Sequence, residues 1–77
     1  MSSIRKGFLL ELVRQFNPAL SNTDVQDVAS VLRITLAEAE LVARELEQEG
    51  YINIVGLGGN IEPTDAGRQI AADANWE

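Results

Sequence analysis

Glu45-Leu46-Glu47-Gln48-Glu49-Gly50-Tyr51-Ile52-Asn53-Ile54-Val55-Gly56-Leu57-Gly58-Gly59-Asn60-Ile61-Glu62-Pro63-Thr64 is the stretch on which the fold turns. Up to Gly50 the apolar residues recur at helical spacing, and after it the period becomes two. Gly50 stands where a helix ends in a left-handed residue. Tyr51 to Val55 is β-branched and alternating, which predicts a strand. Gly56 to Asn60 is a turn, and Ile61-Glu62 forms a short return strand, giving a hairpin over residues 51–62. Thr64 then caps a last helix, expected over 64–73, with Asp65 in its first turn to complement the helix dipole.

Working back from the hairpin, a helix is expected over 35–49. Thr35 and Glu38 have the capping-box spacing, and Leu36, Ala39, Val42, Ala43 and Leu46 line one face. A shorter helix over 23–33 precedes it, with Thr23 and Gln26 at capping-box spacing, Asp24 in the first turn and Val25, Val28, Ala29 and Leu32 buried. The first helix, over 3–16, carries Ile4, Phe8, Leu9, Leu12, Val13 and Phe16 as one stripe. It stops at Asn17-Pro18, because the residue before proline is pushed out of the helical region. The tail from Asp73 is expected to be partly loose, with Trp76 the residue able to fold back on the core.

Helix, helix, tight turn, helix, hairpin, helix is an α+β order, mostly α, and a short helix–turn–helix followed by a glycine-tipped hairpin is the winged-helix arrangement. The single domain spans residues 1–77. Three pieces of it resemble the winged helix–turn–helix of bacterial regulators of the multiple-antibiotic-resistance (MarR) type. They are Val28-Ala29, then Leu46-Glu47-Gln48-Glu49-Gly50-Tyr51-Ile52, then Ile61-Glu62-Pro63-Thr64-Asp65-Ala66-Gly67-Arg68. The resemblance implies a DNA-binding regulator whose third helix enters the major groove. Full regulators of that type carry further helices for dimerisation and ligand binding. A homodimer of this chain is therefore expected to use its first or last helix.

Composition narrows the chemistry. With no cysteine and no histidine, disulfides, Cys/His zinc sites, thiol nucleophiles and histidine catalysis are all excluded. No metal or cofactor is implied, no catalytic constellation emerges, and an enzyme is the least favoured class. The glycines at 56, 58 and 59 lack the lysine and following helix of a phosphate loop. Glu62 and Asp65 form a carboxylate pair only on paper, since the helix dipole accounts for Asp65. No apolar run reaches the roughly 18 residues of a membrane span, and the N-terminus is not a signal peptide, so a cytoplasmic location is expected. A chain of this length buries only about 60% of its unfolded surface, so dimerisation would supplement a modest core.

Charge cuts across the resemblance. Six basic against twelve acidic residues give a net charge of −6, the opposite of what phosphate neutralisation asks for. The candidate DNA-binding residues are Arg33 in the turn, Ala37, Leu41, Arg44 and Gln48 on the outward side of the third helix, and Arg68 on the last. Arg44 suits guanine, Gln48 adenine and Leu41 a thymine methyl. Against this, the third helix carries Glu38, Glu40, Glu45, Glu47 and Glu49, and the hairpin tip has no cation. Glu38 is favoured as a cap over a base reader, and Arg44 is as readily the i,i+4 partner of Glu40. The alternative is an acidic module binding another protein through Leu41, Leu57, Glu38 and Glu45. In that case Leu41 and Leu57 form an exposed apolar patch, unless the hairpin folds over both.

Overall fold

The computed structural model describes residues 4–20, 23–56 and 59–77. Four helices are found among them, α1 (Ile4–Gln15), α2 (Val25–Leu32), α3 (Leu36–Gln48) and α4 (Asp65–Ala71), with one antiparallel hairpin of β1 (Ile52–Val55) and β2 (Asn60–Pro63). The class is α+β, mostly helical. The strands pair with Ile52 opposite Pro63 and Val55 opposite Asn60, so Pro63 closes the ladder and does not merely lead into α4. No helix of the described residues is long and apolar enough to cross a membrane.

One core unites the elements. Phe8, Leu9 and Leu12 of α1, Val28 and Ala29 of α2, Ala39, Ala43 and Leu46 of α3, and Ile52 and Ile61 of the hairpin are almost wholly removed from water. Each large aliphatic or aromatic side chain among them contributes about 1.5–3 kcal/mol of transfer free energy. Two stripe positions depart from expectation. Ile4 is exposed, and Ser3, where the helix was expected to begin, lies outside the described residues. Leu36, 44% exposed, occupies the first helical position of α3 and projects past the core into a shallow recess beside Asp24, Val25, Gln26 and Gly59.

The start of α2 also differs from the sequence reading, and the reason is tertiary. Thr23 is buried, and its carbonyl accepts the Ile61 N–H at 2.8 Å, while the Val25 N–H donates to the Gly59 carbonyl at 3.0 Å. Asp24 thereby forms an isolated bridge with Asn60, a third strand one residue long. With the Thr23 backbone held this way, Asp24 is the N-cap. Its carboxylate accepts the Asp27 N–H at 3.0 Å, and Asp27 accepts the Asp24 N–H in return. Thr35 and Glu38 close the expected capping box on α3.

Two glycines are obligatory for different reasons. Gly50 has φ +84°, where a side chain is strained. Gly67 lies so close to the backbone of Tyr51 that a Cβ would sit 2.0 Å from its carbonyl oxygen. That contact seats α4 against the start of the hairpin, where the Thr64 hydroxyl also donates to the Gly50 carbonyl at 2.7 Å. Beyond α4 the tail folds back, and Trp76 meets Tyr51 edge-on with ring centroids 5.7 Å apart.

Candidate nucleic-acid interface

An α-helix turns about 100° per residue. Setting Arg44 at zero, Ala37, Gln48 and Leu41 fall at about 20°, 40° and 60° on α3. The buried Ala39, Val42, Ala43 and Leu46 fall on the opposite side. Ala37, Leu41, Arg44 and Gln48 are all exposed, Leu41 by 58%. The four side chains thus form one arc facing solvent.

The carboxylates of α3 divide into two groups. Glu38 is drawn back to the helix start, accepting the Thr35 N–H and hydroxyl at 3.1 and 3.0 Å. Glu45 and Glu49, about 100° and 140° round from Arg44, turn toward α1. There they meet the guanidinium of Arg5, Glu45 at 3.5 Å, together with Glu77 of the tail at 2.7 Å. Partial burial works against the Arg5 charge, but the hydrogen bonds to Glu77 and Glu49 outweigh it and hold its pKa above the ordinary arginine value. Only Glu40 and Glu47 flank the arc without a role of this kind, at about −40° and −60°.

The cations divide as sharply. Arg5 is engaged as described, and the Lys6 ammonium donates to the backbone carbonyls of Asp73 and Trp76 at 3.2 and 3.0 Å. Arg14 forks onto Glu11, with Nε at 3.0 and 3.1 Å from the two carboxylate oxygens. That bond lowers the Glu11 pKa, against the raising effect of burial. Arg68 pairs with Asp65 at 3.1 Å and lies 5.8 Å over the Phe16 ring. Among the described residues, the side chains of Arg33 and Arg44 have no ion-pair or hydrogen-bond partner. The Glu40–Arg44 pair suggested by their spacing is not formed. An exposed pair of this kind is worth only about 0.2–0.5 kcal/mol, too little to fix two long side chains.

The structure brings Ala37, Leu41, Arg44 and Gln48 together, with Arg33 in the turn that leads into the same helix. Arg33 is the C-cap of α2 and holds φ 58°, ψ 41°, a left-handed conformation that costs a non-glycine residue about 1–2 kcal/mol. Arg68 does not join them, being held on α4 at the Phe16 end of α1. Arg5 is engaged near the other end of that helix. Leu57 lies outside the described residues, so the Leu41–Leu57 patch has one described member. No family model, curated protein or solved structure matches the chain.

Sequence reasoning missed the Arg5 hub and the Thr23–Val25 strand. Arg5 is 40 to 72 residues from its partners, and no local spacing signals such a contact. The burial of Thr23 had one faint sign, a β-branched residue just ahead of a better cap.

Proposed function

We propose that this chain is a winged-helix DNA-binding domain of a transcriptional regulator, with α3 lying in the major groove and the hairpin as its wing. The observation that supports this reading most is the division of the cations. Four are taken up by contacts within the protein, while Arg33 and Arg44 stay exposed on the helix–turn–helix with Ala37, Leu41 and Gln48. In this reading Arg44 donates to guanine O6 and N7, Gln48 pairs with adenine, Leu41 meets a thymine methyl and Arg33 contacts a phosphate. Ala37, small and central, lets the helix come close to the base edges. The resemblance of the Leu46–Ile52 and Ile61–Arg68 segments to MarR-type regulators points the same way, and DNA binding carries with it a cytoplasmic location.

The acidity counts for less than its total suggests. Glu38, Glu45 and Glu49 are drawn off to a cap and to Arg5, which leaves Glu40 and Glu47 nearest a bound phosphate. Binding is expected to be weak without the right sequence. Two free arginines imply a log–log salt slope of about −2 per copy, taken as about −0.9 for each phosphate neutralised.

Fluorescence anisotropy with random duplex DNA at about 50 and 200 mM salt tests this, with roughly tenfold weakening expected between the two. Absence of binding at the lower salt overturns it. The surviving reading is then the acidic protein-interaction module, which the exposed Leu41 supports.

A further inference from the structure

Five glutamates belong to α3 and its C-cap, and contacts within the protein account for three of them. Glu38 caps the helix start, and Glu45 and Glu49 bond Arg5. Glu40 and Glu47 are exposed, and the side chain of neither has an ion-pair or hydrogen-bond partner among the described residues.

The two differ in where they stand. The half of α3 nearest the turn presents Arg44, Ala37, Leu41 and Glu40 at about 0°, 20°, 60° and −40°. Arg44 and Ala37 form the middle of that sector, and Glu40 and Leu41 lie about 50° to either side of it. Glu40 is therefore as much a part of this face as Leu41. Glu47 lies further round and about two turns toward the other end of the helix.

In the major groove a carboxylate has few favourable neighbours. Phosphates repel it, and guanine and thymine offer it only acceptors. The donors are the amino groups of adenine and cytosine. Adenine sets its acceptor N7 beside the amino group, so a carboxylate there meets a lone pair as well as an N–H. Cytosine has no such neighbour. Arginine is the converse, suited to N7 and O6 of guanine. Glu40 and Arg44 are about 6 Å apart along the helix axis at 1.5 Å per residue. At about 3.4 Å per base pair, that spacing matches the two halves of G·C pairs within about two base pairs of each other. Their i,i+4 order favours a pair, yet none forms, and both groups stay available to a ligand.

We propose that Glu40 reads cytosine, so that the duplex this face selects carries a cytosine close to the guanine read by Arg44. The inference rests on the DNA-binding reading above and deepens it by naming the bases. The carboxylate then acts as a selector. A cytosine at that place satisfies it, and any other base leaves a desolvated charge without a full partner, facing phosphate.

Selection from a library of duplex DNA randomised at its centre tests this, with wild type, Glu40→Gln, Glu40→Ala and Arg44→Ala. Wild type is expected to enrich a motif in which Arg44→Ala loses the preference for one guanine. Glu40→Ala should lose the preference for a cytosine within about two base pairs of it. Replacing that cytosine by thymine should weaken wild-type binding about tenfold, a typical cost of one wrong base pair. Glu40→Gln should shift the preference there to adenine, since an amide pairs with adenine N6 and N7. Circular dichroism checks that both variants, altered at an exposed position, stay folded. A Glu40 substitution that changes affinity for every duplex alike marks a solvated charge and overturns the inference. So does a motif with no cytosine in that window. Either result leaves DNA binding standing. A wild-type protein that enriches no motif also overturns the inference, and the anisotropy measurement then decides whether DNA binding itself survives.

Discussion

Arg5 and Arg44 are both arginines on amphipathic helices, and their surroundings could hardly differ more. Arg5 sits where α1, the end of α3 and the tail meet, ringed by Glu45, Glu49 and Glu77. Arg44 stands immediately before Glu45 in α3 but on another side of the helix, exposed and unpaired among the described residues. The first region ties three parts of the chain together. The side chain of the second bonds to nothing among the described residues and adds little to the fold. The difference teaches that net charge is a poor guide to a surface. The carboxylates that appear to disqualify α3 are partly turned toward Arg5, and the cations that appear available to a ligand are mostly engaged elsewhere.

Substitutions on the closed side should therefore cost stability and leave binding alone, with the reverse on the α3 arc. The largest effect is expected from Gly67→Ala, whose Cβ would collide with Tyr51. A destabilisation of about 2–3 kcal/mol, seen as a fall in denaturant midpoint, is expected. A loss below about 0.5 kcal/mol would mean that α4 is not seated as described.

Next comes the arginine pair itself. Arg44→Ala should weaken DNA binding about tenfold with stability unchanged within about 0.5 kcal/mol. Arg5→Gln should cost about 0.5–1 kcal/mol of stability, a cost that shrinks in high salt. Equal effects of both variants on binding and on stability would erase the comparison.

Arg33→Gly sharpens it with opposite signs. Relief of the left-handed backbone should stabilise the fold by up to about 1 kcal/mol, while DNA affinity falls. A glycine variant that binds as well as wild type removes Arg33 from the interface.

The smallest effect concerns Glu11. Its pKa is lowered in the folded state by Arg14, so its contribution is present above the unfolded carboxylate value and fades as pH falls through the lower folded one. Chemical unfolding should show Glu11→Gln less stable than wild type near neutral pH and the two converging in acid. A gap that widens in acid would contradict the pairing.

Local patterns carried much of the fold. The change of period at Gly50, the Thr35–Glu38 box and the proline stop after α1 each depend on residues within a turn of one another, so they were legible in order. The arc of Ala37, Leu41, Arg44 and Gln48 was legible too, because a helix with one apolar stripe has only one opposite side. Leu36 was misread because periodicity says which way a residue points and not whether anything lies in that direction. Thr23 was misread as a cap because its backbone answers to Ile61, 38 positions on.

The sequence by itself determined the order of the elements, the outward face of α3 and the absence of cysteine and histidine chemistry. These follow from backbone periodicity and side-chain identity alone. Only the tertiary structure decided which cations are free, where α2 begins and which strand of the hairpin the Thr23 segment pairs with. Those are set by contacts between residues far apart in the chain, such as Arg5 with Glu77 and Thr23 with Ile61, and no local spacing encodes them.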